Sequence, residues 1–311
     1  MIKKLFPFLC LILATLCWGG NFVLGRLIHS DIPPIALNFW RWTGAIICLL
    51  PISGIKLWQY RSIIRRNLGI TTILAVTGVT GFNSCIYVAL HSTTAINAAL
   101  MIATVPLMVP PLSFLLLKTP LTISQLMGTV VSLIGALIFI THGKLLQIGS
   151  LQFVRGDFLV LTAAFLWSVY TVLYNRRPKD IPPIDFLLII SIWGTIILSP
   201  FYIGEIVLHG GFPVNAANLL AIAYVAVFAS VVAFISWNYA VSQIGPNKSG
   251  LFAHCMPLFS TLLAIFFLKE KLYLFHLVGV AFVAVGIVVS SRAGIRVASV
   301  GTESPTPGNT N

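Results

Sequence analysis

The chain has 311 residues, of which 58% are hydrophobic and 8% charged, and its mean hydropathy is +0.99. A soluble domain has roughly half apolar and a quarter charged residues, so this composition excludes a soluble globular protein and indicates an integral membrane protein. The net charge of +12 does not indicate a nucleic-acid partner, because the Lys and Arg residues stand singly or in short groups between apolar runs.

The first 20 residues, MIKKLFPFLCLILATLCWGG, have the charge and apolar run of a signal peptide. No A-x-A cleavage pattern follows, and the apolar run resumes through Phe22 to Ile28, so we interpret the segment as a retained first helix. Further apolar runs of about 20 residues, the length that spans a bilayer as a helix, follow along the chain. The predicted transmembrane helices lie at approximately 5–28, 34–55, 68–90, 95–117, 122–141, 157–175, 184–208, 219–241, 249–268 and 273–291.

These runs are continuous rather than alternating, which favours an all-α protein of ten helices over a β-barrel. The polar, proline-rich end of the chain, TESPTPGNTN, predicts a disordered tail over 293–311. The five cysteines show neither paired spacing nor a CxxC, and most lie in apolar runs, so we predict buried apolar side chains and neither a metal site nor a cofactor.

A repeated peptide divides the chain into two halves. DIPPIAL occupies 31–37 and DIPPIDF occupies 180–186, an offset of 149 residues. Later matches continue at an offset of 151, among them Pro106 with Pro257. We therefore predict a duplication of a five-helix unit, with one copy over 1–148 and the other over 149–292. Because five is odd, the second copy enters the membrane from the opposite side, and such inverted repeats are typical of secondary transporters that bind their substrate between the halves.

Charge predicts the orientation. Most Lys and Arg residues fall in the segments that are cytoplasmic if the N-terminus is inside, which places both termini in the cytoplasm and the chain in the cell membrane. Lys269 and Lys271, beside Glu270, run against this bias.

Several motifs resemble the EamA-type carriers of the drug/metabolite transporter superfamily. The resemblance covers roughly 5–291 and rests on WGGNFVLGR at 18–26, FWRW at 39–42, TTAINAALMIATVPLMVPPLSFLLLK at 93–118, AAFLWSVYTVLYNRR at 163–177 and GPNKSGLFAHCMPLFSTLLAIFFLKEKL at 245–272. It implies ten helices, both termini inside, and transport of amino acids or related metabolites, commonly outward. The acidic residue that the family carries after its fourth and ninth helices is present as Glu270, whereas the first half has Thr119.

The first helix of each copy carries a candidate substrate-binding stripe. Trp18 and Asn21 share one helix face, and at the offset of 149 they correspond to Trp167 and Tyr170. Matched aromatic and polar stripes are what a cavity between two repeats requires. Equally, the tryptophan is a packing aromatic and the asparagine an interhelical hydrogen-bond donor.

A second group of candidates lies on the third, eighth and ninth helices. Asn83 and Tyr87 stand four residues apart on the third helix, and Trp237 and Asn238 occupy nearly the matching turn of the eighth. His254 is a titratable group inside the ninth span, which makes it a candidate for solute binding or proton coupling, or else a neutral side chain bonded to a neighbouring helix.

Arg41 is the basic residue that falls inside a predicted span, about 10 Å from its start at Pro34 at 1.5 Å per residue. It either pairs with a substrate carboxylate, or it snorkels to the outer headgroups or bonds to loop carbonyls. Pro106 and Pro257 are predicted hinges that free backbone carbonyls beside the cavity.

All seven carboxylates fall at helix ends, in loops or in the tail, which favours neutral, zwitterionic or aromatic solutes over cations. The partners expected are thus a small molecule and the lipid bilayer. No ATPase subunit or catalytic activity is implied, because a Walker A loop, paired carboxylates within spans and HExxH are all missing from the sequence. A sugar-phosphate or nucleotide-sugar carrier of the same fold, which should need several cations, and a polar-lined channel remain the alternatives.

Overall fold

The structure, a computed structural model, describes residues 2–28, 31–93, 98, 101–141, 143–144, 154–268 and 273–300. Helices and short connections make up this part of the chain, and no strand occurs in it. We number the helical segments in chain order as α1 (Ile2–Ile28), α2 (Pro34–Ser53), α3 (Leu68–Ala89), α4 (Val105–Leu117), α5 (Ile123–Ile140), α6 (Arg155–Leu173), α7 (Pro183–His209), α8 (Ala216–Ile244), α9 (Pro246–Gly250, Leu251–His254 and Cys255–Leu268) and α10 (Leu274–Val300).

Six helical stretches in this part of the chain are long and apolar enough to cross a membrane. They are Lys4–Asn21, Pro34–Arg66, Leu68–Ala89, Arg155–Arg176, Pro183–His209 and Ala216–Ile244. Shorter apolar helices add Val105–Leu117, Ile123–Ile138 and Leu274–Ser290. The all-α prediction is confirmed, and the molecule has the apolar helices of a multi-pass membrane protein.

Each DIPPI segment leads into a helix that starts with proline. Pro34 and Pro183 occupy the first positions of α2 and α7, where the missing N–H of proline costs no hydrogen bond. The first backbone N–H groups of α2 have no partner within the helix, and Glu205, near the end of α7, binds them. Its two carboxylate oxygens accept from Ile35 N and Ala36 N at 3.0 and 2.6 Å. In the first turn of α7, Asp185 accepts hydrogen bonds from Ser53, the last residue of α2, and from Tyr60, which follows α2.

Two helices contain π-helical segments at matching places. Ala75–Gly81 is π-helical within α3, and Val225–Val232 is π-helical within α8. A π-helical turn disturbs the regular ladder of backbone hydrogen bonds and is frequent at functional sites. Both segments accept hydrogen bonds from α2: Val79 O and Thr80 O from the Asn38 side-chain amide, and the second segment from Arg41 as described below.

The packing of the helices repeats when the first half of the chain is exchanged for the second. Helix α1 packs on α8 and α9, while α6 packs on α3 and α4. Helix α2 packs on α8, while α7 packs on the π-helical part of α3. Two contacts join counterparts directly, α2 with α7 and α5 with α10. Most of these contacts join one half of the chain to the other, so neither half folds around a core of its own.

Helices α5 and α10 approach each other through glycines. A Cβ atom on Gly128 would lie 2.5 Å from Gly286 O, and one on Gly135 would lie 2.7 Å from Gly279 O. The order of the contacts shows that the helices run antiparallel. Such close approach is typical of membrane helix interfaces, where small residues let backbones meet.

Two features differ from the sequence-based expectations. Helix α10 continues to Val300, so residues 293–300 are helical and not part of a disordered tail, because AGIRVASV has no proline or polar run to end the helix. The fourth predicted span is interrupted by turns at 103–104, and α4 begins only at Val105. Residues 301–311, together with Lys269, Glu270 and Lys271, lie outside the described residues.

Candidate solute site

Arg41 lies at the centre of the candidate site, and its guanidinium is fully enclosed, with 1% of the residue exposed. Nε donates to Ser230 Oγ at 2.6 Å, and Nη2 donates to Ala229 O at 2.7 Å. Nη1 donates to Asn83 Oδ1 at 2.9 Å and to Tyr87 OH at 3.1 Å. The Arg41 side chain therefore neither snorkels to the headgroups nor binds loop carbonyls, since its partners lie on α3 and α8.

These partners leave the charge of Arg41 uncompensated. All four are neutral, and no ion pair with a carboxylate forms in the part of the chain that the structure describes. A guanidinium has five N–H donors, so one N–H of Nη2 remains after these bonds. Burying an unpaired charge is strongly unfavourable, and here hydrogen bonds alone offset that cost. The site thus holds one positive charge and a free donor.

The first half of the chain builds a hydrogen-bonded row from this arginine. Tyr87 OH, which accepts from Arg41, donates to Asn21 Oδ1 at 3.2 Å. The row joins α2, α3 and α1. Three candidate residues that the sequence placed on two helices, Asn21 on the first and Asn83 and Tyr87 on the third, are therefore in one network.

The second half builds the matching pair with the residue types exchanged. Tyr170 OH on α6 donates to Asn238 Oδ1 on α8 at 3.0 Å. By the offsets of 149 and 151, Tyr170 corresponds to Asn21, and Asn238 corresponds to Tyr87. The same tyrosine–asparagine hydrogen bond thus occurs in both halves, with the tyrosine on the third helix of one and on the first helix of the other.

An aromatic cluster fills the space between the two pairs. Trp18 and its counterpart Trp167 meet edge to face with ring centroids 5.0 Å apart, and Trp18 lies 5.3 Å from Trp237. Trp167 also stacks on Tyr170 at 5.2 Å. The centroid of the Phe234 ring lies within 6 Å of the ring centroids of Trp18, Trp42, Trp167 and Tyr170. The two predicted stripes therefore face each other and close the site in this conformation.

The π-helical segment of α8 links this cluster to the arginine. Ala229 O accepts from Arg41 Nη2 and also from Trp18 Nε1 at 2.8 Å. Ser230 Oγ, which accepts from Arg41, donates to Val225 O five residues earlier. The π-helical segment thus supplies a backbone carbonyl and a side-chain hydroxyl to the charged centre.

Several buried N–H groups of the site have no hydrogen-bond partner among the described residues. They are Asn83 Nδ2, Asn238 Nδ2, Trp42 Nε1 and Trp167 Nε1. Each is a donor and none is an acceptor, and a buried donor without a partner is costly. A ligand that offers acceptor oxygens and a negative charge, such as a carboxylate, complements both these donors and Arg41.

His254 forms a separate polar contact. Its Nδ1 lies 2.7 Å from Ser132 Oγ on α5, and its Nε2 lies 3.0 Å from Ala103 O in the interruption before α4. At the offset of 151, His254 corresponds to Ala103 in the first half of the chain. The described hydrogen bonds therefore place His254 between α5, α9 and the interruption, and not in the row around Arg41.

The predicted hinge prolines lie just after the two interruptions. Pro106 is in the first turn of α4, and Pro257 is the third residue of Cys255–Leu268, which follows the 3-10 turn Leu251–His254. Neither proline kinks a continuous helix, because each stands near the start of a new helical segment. Pro106 also lines an apolar pocket of about 270 Å³ between α4 and α5, apart from the aromatic cluster.

Sequence reasoning missed Ala229, Ser230, Trp42 and Phe234. The first two belong to an apolar run whose π-helical geometry leaves no pattern in the sequence. Trp42 stands in the FWRW stretch beside Arg41 and could have been singled out on that ground. Phe234 looked like one more apolar residue of the eighth helix.

Comparison with known proteins decides the family. The profile of the EamA-like transporter family matches residues 5–141 and 154–292, which is most of the chain. The chain belongs to the EamA-like transporter family. As an EamA-like protein it is a multi-pass membrane transporter of a small-molecule substrate.

Relatives of this EamA-like chain extend over nearly its whole length. The uncharacterized transporter YyaM of Bacillus subtilis (strain 168) is 28% identical over 93% of this chain and 95% of its own. A protein of Streptantibioticus cattleyicolor named "Probable terminal-alkyne amino-acid exporter" is 23% identical over 96% of each chain. A solved crystal structure shares the fold with a TM-score of 0.76, at 18% identity over 94% of this chain and 98% of that one.

Proposed function

We propose that the chain is a secondary transporter that exports amino acids or related small carboxylates across the cytoplasmic membrane. Its segments α1–α5 and α6–α10 form two inverted repeats that alternate in opening the central site to either side, with both termini in the cytoplasm. The observation that carries this proposal is Arg41, a buried guanidinium with neutral partners, surrounded by donors that lack acceptors.

Support for alternating access comes from the exchanged packing of the helices. Because α1 relates to α8 and α9 as α6 relates to α3 and α4, a shift of one half produces an arrangement similar to the starting one turned by a twofold rotation in the membrane plane. The interruptions before Pro106 and Pro257 are places where such a shift can occur without breaking a regular helix. The amino-acid class is supported by the Streptantibioticus cattleyicolor relative and by the zwitterion-compatible site.

The aromatic rings also bear on the solute. A zwitterion that places its carboxylate on Arg41 brings its ammonium and side chain against Trp18, Trp167 and Phe234, whose ring faces attract cations and apolar groups. A sugar phosphate would bring two negative charges to a centre with one guanidinium, so we place this class second. A channel is disfavoured because the rings close the centre.

The test is counterflow in proteoliposomes preloaded with unlabelled amino acids, followed with a panel of radiolabelled ones. Saturable counterflow of at least one amino acid is expected in the wild type. Arg41→Gln should lower the affinity at least thirtyfold, because loss of a desolvated charge partner costs about 2–5 kcal/mol, and tenfold in affinity corresponds to about 1.4 kcal/mol. Arg65→Gln, which removes the same group from an exposed site, is the matched control.

Three outcomes would contradict the proposal. Counterflow of hexose phosphate without amino acids would favour the rival class, and unitary currents in planar bilayers would favour a channel. Equal affinities in Arg41→Gln and Arg65→Gln would remove Arg41 from the site.

A further inference from the structure

A second buried arginine stands at the end of α6. Arg177 is 8% exposed, and its Nε and Nη1 atoms are buried without a hydrogen-bond partner in the described part of the chain. Its guanidinium carbon lies 4.7 Å from the centre of the Tyr174 ring. Tyr174 is 1% exposed, and its hydroxyl is likewise buried without a partner. Arg41 has hydrogen-bond partners for all three of its nitrogens, whereas two nitrogens of Arg177 have none in the described part of the chain.

An aromatic column connects this arginine to the central site. Trp167, Tyr170, Tyr174 and Arg177 follow at i, i+3, i+7 and i+10, which places them on one face of α6 as it passes into the short turn Tyr174–Arg176. The ring centroids are 5.2 Å apart from Trp167 to Tyr170 and 5.9 Å apart from Tyr170 to Tyr174. Arg41 thus stands beyond one end of the column, through Trp18 and Ala229, and Arg177 stands at the other end.

Other elements bond to the two residues that precede Arg177. Asn175 donates to Val241 O at 3.4 Å near the end of α8, and Arg176 donates to Leu116 O at the end of α4. The first part of α9, Pro246–Gly250, packs against α6. It carries Asn247, whose two side-chain amide atoms are also buried without partners in the described part of the chain. Arg177, Tyr174 and Asn247 thus each carry buried polar atoms without a partner among the described residues, and one of these atoms, Asn247 Oδ1, is an acceptor.

We propose that Arg177 and Tyr174 form a second anion site, at which the carboxylate of the transported solute docks on its way to or from Arg41. The proposal rests on the proposed function, since it takes the ligand to be the same carboxylate. The two free guanidinium donors and the tyrosine hydroxyl bind the carboxylate oxygens, and the Tyr170 and Trp167 rings cover the remainder of the solute as it moves along the column. With the N-terminus in the cytoplasm, this site faces the cytoplasmic side.

The first experiment measures ligand binding with 4-fluorobenzoate as the probe, by ¹⁹F NMR on purified protein in detergent. An Arg41→Gln background removes the central guanidinium, so that the remaining carboxylate binding reports on Arg177. Adding Arg177→Gln should weaken this binding at least tenfold, whereas adding Arg176→Gln should change it less than twofold. Arg176 is the matched control because it is the adjacent arginine, carries the same charge and is exposed. The neutral probe 4-fluorobenzyl alcohol should not distinguish the two double variants.

Equal weakening by Arg177→Gln and Arg176→Gln would overturn the proposal, because it would trace the effect to surface charge. Absence of binding in the Arg41→Gln background would also overturn it. Displacement of the probe by phosphatidylglycerol would mean that the site holds a lipid phosphate, and the solute assignment would then fall. None of these results depends on transport, so a failure of counterflow for amino acids is distinguishable as a failure of the proposed function.

A second experiment needs no Arg41 variant. In ligand-free protein, a buried guanidinium with free donors opposes folding, so Arg177→Gln should melt at or above the wild-type temperature. Arg176→Gln should melt at or slightly below it, because it loses only an exposed hydrogen bond to Leu116 O. Addition of 4-fluorobenzoate should then raise the melting temperature of Arg176→Gln more than that of Arg177→Gln. A ligand-free Arg177→Gln variant that melts clearly below wild type would show that the guanidinium supports the fold, and the docking site would be refuted.

Discussion

Gly128 allows α5 and α10 to come close together, and alanine at this position should push them apart. The added Cβ would lie 2.5 Å from Gly286 O and 2.7 Å from Ser290 N, which are backbone atoms that cannot rotate away. Carbon–oxygen contacts between helices are about 3.3–3.6 Å, so the helices must separate by about 1 Å. Overpacking of this kind costs about 1–3 kcal/mol, and the better helix propensity of alanine returns about 1 kcal/mol.

Whether Gly128→Ala lowers or raises the stability is best tested by comparison with an alanine substitution at a second glycine. A Cβ on Gly204, inside α7, would meet no atom within 4 Å. Gly204→Ala should therefore melt at or slightly above the wild-type temperature in detergent, whereas Gly128→Ala should melt below it. The double variant Gly128→Ala/Gly286→Ala should lose less than the sum of the single losses, because one separation of the helices relieves both contacts. If Gly128→Ala melts as high as Gly204→Ala, the close packing of α5 on α10 is refuted.

Two further predictions concern the exchanged halves. Tyr170→Phe removes the hydrogen bond to Asn238 and should raise the half-saturation concentration in counterflow by about two- to tenfold, since one hydrogen bond contributes about 0.5–1.5 kcal/mol. Tyr87→Phe removes both the bond donated to Asn21 and the one accepted from Arg41, so it should raise this concentration further; an unchanged value in either variant would show that its pair does not contribute to the site. In a cysteine-free background, Asp31→Cys should react with a membrane-impermeant maleimide on intact cells and Asp180→Cys should not, whereas labelling of both would contradict the opposite orientation of the two DIPPI segments.

The sequence predicted the helices well because a lipid-facing helix must be apolar along its whole length, and that constraint is local. The segments 34–55 and 184–208, for example, correspond to α2 at Pro34–Ser53 and α7 at Pro183–His209. Local patterns also predicted the shared faces of Trp18 with Asn21 and of Trp167 with Tyr170.

Partners across helices could not be predicted in the same way, because they depend on how the helices pack. The repeat offset related Asn21 to Tyr170. It did not show that each of them would form a hydrogen bond with the third helix of its own half. Arg41 could be placed by depth, whereas its hydrogen bond to Ala229 O depends on how α2 packs against the π-helical segment of α8. Arg177 looked like a loop charge of the cytoplasmic side, since nothing in its sequence context shows that Tyr174 buries it.

His254 supplies the last prediction, which concerns coupling to protons. Nε2 faces Ala103 O and must donate to it, whereas Nδ1 faces Ser132 Oγ, which also lies 3.1 Å from Thr129 O. The hydroxyl can donate to Nδ1 when the ring is neutral, or turn to Thr129 O and accept from Nδ1 when the ring is protonated. Both protonation states of the ring are therefore hydrogen-bonded without a change of backbone.

Because full burial disfavours a charged ring, His254 can take up a proton only in a state of the transport cycle that opens its surroundings. Glutamine can replace its bond to Ala103 O but cannot titrate. We expect His254→Gln to keep the counterflow of the wild type and to lose solute accumulation driven by an imposed pH gradient in proteoliposomes. Ser132→Ala should weaken accumulation less, because it removes the hydrogen-bond partner of the ring and leaves the titrating group. Full accumulation in His254→Gln would show that no obligatory proton step passes through this side chain, and coupling would then have to involve another group or be absent.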